Sequence, residues 1–114
     1  MENKIVYSLI VAILNRGFSG VAMDAARNAG AKGGTVISAH GSGLHEDETF
    51  FGISILPEKE IVLILSSEET KPSIMRAIIK RVGIETEGGG IAFSLPVTEV
   101  EGISRITDFE ENKQ

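Results

Sequence analysis

The chain has no cysteine, no tryptophan and a single tyrosine, and its 11 basic residues are outnumbered by 16 acidic ones. Without cysteine there is no disulfide, no thiolate nucleophile and no cysteine-ligated zinc. A net charge of −5 argues against nucleic acid as a partner, because a phosphate backbone calls for clustered lysine and arginine. The longest apolar run, residues 5–14, includes Tyr7 and Ser8 and is too short to span a bilayer. The N-terminus lacks the small-residue cleavage pattern of a signal peptide. The expectation is a cytoplasmic protein with no direct membrane insertion. With aromatics at 5%, valine, isoleucine, leucine and alanine must fill the core, which favours close packing of helix on sheet.

What is present suits one folded domain. The 114 residues are 42% hydrophobic and 24% charged, a globular rather than disordered balance, and the length allows one core but not two. Residues 5–14 form a β-rich apolar run, as in a central strand. Asn15, Arg16 and Gly17 break it, and Ser19 can cap the helix that follows. From residue 20 to 29, Val21, Ala22, Ala25, Ala26 and Ala29 place a small-residue stripe on one helix face, ended by Gly30. Residues 35–40 read as a short strand and residues 44–49 as a polar, acidic connector. Residues 50–56 and 61–65 read as one long strand bent at Pro57. Pro72, after Thr70, starts a helix whose stripe is Ile74, Met75, Ile78, Ile79 and Val82, and Gly83 ends it. Residues 91–97 alternate Ile91, Phe93, Leu95 and Val97 on one face. The order predicts an α+β, ferredoxin-like βαββαβ fold, an antiparallel four-stranded sheet with two helices on one face. It spans residues 1–106, and residues 107–114 form a flexible acidic tail.

Signals for catalysis are thin. His40 and His45 flank Gly41-Ser42-Gly43, and Glu46, Asp47 and Glu48 follow. Imidazole and carboxylate could together hold a divalent cation, although the spacing matches no recognised metal motif and charged loops are most often simply solvated. Ser38, Ser42 and Ser54 lack a nucleophile elbow or an orienting acid. Gly41-Ser42-Gly43 lacks the lysine of a phosphate-binding P-loop. Nothing reads as an enzyme, and no metal or catalytic residue is assigned.

Two glycine clusters remain. One runs from Gly30 through Gly33-Gly34-Thr35-Val36 to Gly41-Ser42-Gly43, and the other is Gly88-Gly89-Gly90, directly ahead of a strand. Successive glycine amides can form an anion-binding nest, with Lys32 beside the first cluster. Glycines used only for tight turns are the alternative.

The Gly-Thr-Val strand, the Gly-Ser-Gly turn, Leu56-Pro57 with the run 61–65, and Gly88-Gly-Gly-Ile-Ala-Phe93 ahead of Leu95-Pro-Val97 together resemble the nitrogen-regulatory P-II signalling proteins over most of residues 4–104. The resemblance implies a homotrimer that binds adenine nucleotides in clefts between subunits and acts on partner proteins through an exposed T-loop, without catalysis. It places ligand contacts on Ile13, Thr35, Ile64, Gly41, Gly43, Gly88, Gly89 and Gly90, and a partner-binding loop on Leu44, His45, Glu46, Asp47, Glu48, Thr49 and Phe50. The target would be a membrane transporter, such as an ammonium transporter, or a metabolic enzyme. The chain also departs from the pattern. Ile91, Gly102, Ser104, Leu44 and His45 stand where the family carries lysine, two arginines, arginine and glutamine, and the T-loop is shorter and has no tyrosine. Loss of these cations shifts the expected ligand from ATP to AMP or ADP. A divalent-metal-responsive trimer using His40, His45 and the acidic loop is the alternative, and a subunit without a ligand is a third.

Overall fold

The computed structural model describes residues 5–42, 48–50 and 52–103. Strands β1 (Tyr7–Asn15), β2 (Thr35–His40), β5 (Glu58–Ser67) and β6 (Ile91–Val97) form one sheet in the order β2-β5-β1-β6, and all three neighbouring pairs are antiparallel. Helices α1 (Ser19–Asn28) and α2 (Lys71–Val82) pack against each other and on the sheet. This is the ferredoxin-like α+β arrangement expected from the sequence.

The side-chain period of two divides the sheet cleanly. Ser8, Ile10, Ala12 and Leu14 of β1 and Val62 and Ile64 of β5 are buried beneath the helices. They meet Ala22, Met23 and Ala26 of α1 and Ile74, Ile78 and Val82 of α2. Small residues on α1 let its backbone approach the sheet closely, as the alanine stripe predicts. In α2 the stripe is narrower than expected, for Ile79 points outward and is exposed.

Among the described residues no helix lies on the other face of the sheet. Register aligns Ile37, Ile61, Ile13 and Ile91 in one row across the four strands, and Thr35, Leu63, Val11 and Phe93 in the next. Leu65, Leu9 and Leu95 make a third row. The β6 members are exposed, at 49% for Ile91, 43% for Phe93 and 47% for Leu95. A largely apolar face is therefore partly open to solvent in the single chain, its inner strands half-buried and Val11 buried, which is more contiguous than scattered surface hydrophobics would give.

Two further expectations change. The segment ahead of Pro57 is not part of one bent strand. It contains β3 (Glu48–Phe50) and β4 (Ile53–Ile55), a separate antiparallel ribbon. Its pairing of Phe50 with Ile53 leaves a two-residue turn, in which Gly52 has φ +77°. Such a turn needs positive φ, which glycine adopts without strain. The β2–β5 pairing closes just below this excursion, where the Gly41 amide donates to the Pro57 carbonyl at 3.0 Å. The second change is at α1, where the Ser19 side chain does not cap the helix from the N-cap position, which Phe18 occupies. Instead the Ser19 amide donates to Glu60 Oε1 at 2.9 Å, so a carboxylate from β5 sits at the helix N-terminus, where the dipole favours it. The tail 107–114 lies outside the described residues.

Candidate functional site

Of the residues carried over from the resemblance, Ile13, Gly41 and Gly88 to Gly90 lie towards one end of the sheet, whereas Thr35 and Ile64 lie at its middle, and they are not all on one face. Ile13 lies on the open face, paired with both Ile61 and Ile91. Thr35 is on the same face, exposed on edge strand β2 and opposite Leu63. Ile64 is not with them, since its side chain is fully buried among the helices. A one-residue step reverses a side chain in a strand, and Leu63 is the member of that strand turned to the open face. Gly41 lies just past β2, with its amide bonded to Pro57. Gly43, Leu44, His45, Glu46 and Asp47 lie outside the described residues, while Glu48, Thr49 and Phe50 form β3.

Gly88, Gly89 and Gly90 stand immediately ahead of β6, but their amides are not a nest turned to solvent. Gly88 N–H donates to Thr86 Oγ1 at 3.1 Å, Gly89 N–H to the Thr86 carbonyl at 3.0 Å and Gly90 N–H to the Val82 carbonyl at 2.7 Å. Their need for glycine is steric. A Cβ on Gly90 would lie 2.5 Å from both Leu14 Cδ2 and the Val82 carbonyl oxygen, and one on Gly88 would lie 2.7 Å from Val82 Cβ. The segment threads between β1 and the end of α2, and only a bare backbone fits there. The turn reading of these glycines therefore accounts for their geometry.

Three consecutive residues at the start of β5 tie this end of the molecule together. Glu58 Oε2 accepts from Arg16 at 2.6 Å, an exposed pair of small energetic worth. Lys59, only 8% exposed, donates from Nζ to Asn15 Oδ1 at 2.8 Å. Glu60 receives the Ser19 hydroxyl and amide, the Gly17 amide and the Arg16 charge. These hold its carboxyl below the ordinary glutamate range, the Ser19 hydroxyl contributing most, against a partial burial that pushes the other way. Lys59 and Asn15 escaped the sequence reading. The available signal was a lysine continuing the apolar row Ile61, Leu63, Leu65 of its strand.

His40 ends β2 opposite Glu58. Among the described residues no group of three or more His, Asp or Glu converges on a point, and His45 with its acidic neighbours Glu46 and Asp47 lies outside them. A shallow cleft of about 330 Å³ is lined by residues 5–7 and 97–100, at the opposite end of the sheet from the glycines.

One comparison bears on the family. The model of the nitrogen regulatory protein P-II family matches residues 7–106. The chain belongs to the nitrogen regulatory protein P-II family. That makes it a nitrogen-regulatory signalling protein, in a family whose members are regulators rather than enzymes, are generally trimeric and act on partner proteins. A comparison with curated proteins finds no match. Among the described residues no helix is long and apolar enough to cross a membrane.

Proposed function

We propose that this P-II protein works as a cytoplasmic homotrimer that holds a small effector in the clefts between subunits. Its state is passed to a target, a membrane transporter or a metabolic enzyme, through the excursion between Gly41 and Pro57. The observation that carries the reading is the open sheet face. Three apolar rows run across its strands, and a closed cyclic assembly buries them while leaving the helices outside. Thr35, on edge strand β2, would then sit at the margin of a subunit boundary, with the excursion leaving from the other end of the same strand.

The preferred effector is AMP or ADP rather than ATP. The cations the family uses on the polyphosphate are replaced by Ile91, Gly102, Ser104 and Leu44, and the amides of Gly88, Gly89 and Gly90 are already bonded within the chain. A charge-assisted hydrogen bond contributes roughly 1.5–3 kcal/mol, so losing two weakens a triphosphate at least about a hundredfold. Calorimetric titration with AMP, ADP and magnesium-ATP tests this. Tighter binding of AMP or ADP than of ATP is expected. Tight magnesium-ATP binding would overturn the preference, and silence with all three would overturn the nucleotide reading.

A further inference from the structure

Asn15 bonds both to the glycine segment and to the base of the excursion. Its backbone amide donates to the Gly88 carbonyl at 2.9 Å. Its side-chain Nδ2 donates to the Glu87 carbonyl at 3.0 Å, while Oδ1 accepts from Lys59 Nζ at 2.8 Å. Both ends of the amide are thus engaged, each by a different segment. A Cβ on Gly89 would come within 2.6 Å of Nδ2, so glycine at this position keeps the amide's bond to Glu87 clear. Lys59 is also the register partner of both Asn15 and Ala39, two residues from the Gly41–Pro57 hydrogen bond that closes the neck of the excursion.

The geometry points to Asn15 as a positioning residue that couples the glycine segment 86–90 to the neck of the excursion. A displacement at either place alters the other through the side-chain amide. An amide is suited to this because it donates at one end and accepts at the other, so neither neighbour can shift without breaking or re-aiming a bond. The inference rests on the proposed function only in treating the excursion as the partner-facing element, and the coupling itself needs no effector or partner.

Spatial intermediacy alone does not establish coupling, so the test perturbs one side and reads the other. In the full-length protein, Thr86→Val removes the hydroxyl that accepts from Gly88 N–H and donates to the Gly83 carbonyl. Amide hydrogen exchange is followed at Gly41 on the far side, with Ile10 and Ile64 as core references. Thr86→Val is expected to change Gly41 exchange about threefold or more relative to those references. In an Asn15→Ala background the same substitution is expected to leave Gly41 exchange unaltered. Asn15→Asp, which keeps the acceptor for Lys59 but loses the donor to Glu87, should uncouple in the same way and serves if Asn15→Ala fails to fold. A Gly41 amide indifferent to Thr86→Val, or one that responds equally with and without Asn15, would overturn the inference. Failure of nucleotide titration would leave this result untouched, so the two readings can fail separately.

Discussion

At the scale of single residues, contacts decide what a motif means. Gly90 belongs to a cluster that reads as a phosphate cradle, yet its amide is bonded to Val82 and a Cβ would strike Leu14 and the Val82 carbonyl. Gly90→Ala should therefore destabilise the fold by roughly 1–3 kcal/mol, measured by denaturant unfolding. Gly41 has no atom within 4 Å of its would-be Cβ, so Gly41→Ala should stay within about 0.5 kcal/mol of the parent. Equal effects at the two positions would contradict this assignment. Glu60 carries a second expectation. Its folded carboxyl titrates below the ordinary value, chiefly because the Ser19 hydroxyl bonds to it. The stability it adds is present above the unfolded glutamate value and is lost as pH falls through the folded one, that is, from about pH 4 downward. Acid titration of stability should accordingly be shallower in Glu60→Gln than in the parent, while the parent stays the more stable of the two near neutrality. Parallel curves in acid would show that the carboxylate at the N-terminus of α1 does not contribute in this way.

At the scale of elements, much of the fold is legible in sequence because local pattern and tertiary role agree. The run ending in Leu14 becomes the central strand, the alanine stripe faces the sheet, and Ile91, Phe93, Leu95 and Val97 share the open face. The ribbon is not legible in that way, since Phe50 and Ile53 look like one apolar strand until Gly52 is recognised as a two-residue turn. The apolar run 61–65 does not announce which of its residues face outward, and only the register with α1 and α2 in place turns Ile64 inward and Leu63 outward. The Glu60 contact to Ser19 and the bonds of Asn15 to Glu87 and Lys59 join residues far apart in sequence, so no local pattern announces them. The ribbon also carries an expectation of its own. Its two strands pair with each other, and β2 and β5 are already closed by the Gly41–Pro57 bond beneath it. Replacing residues 43–55 with a short Gly-Ser turn alters loop closure only slightly. The melting temperature should move by less than about 4–8 °C, the shift that 1 kcal/mol produces in a domain of this size. Loss of cooperative melting would mean that the ribbon belongs to the core.

At the scale of the whole molecule, the central claim is that the helix-free face of the sheet is an assembly face. Leu9, Val11, Ile13, Leu63, Leu65, Ile91, Phe93 and Leu95 present it as continuous rows, while the described helices α1 and α2 cover the other side. Apolar burial contributes roughly 25 cal/mol per Å², and soluble single chains rarely leave patches of this extent uncovered. A P-II regulator that binds its effector between subunits depends on that face being closed, so assembly is the condition for everything proposed about the cleft and the excursion. Sedimentation equilibrium of the full chain at micromolar concentration tests it most directly. A single species at three times the 12.2 kDa chain mass is the expected result. A species at the mass of one chain would contradict the account.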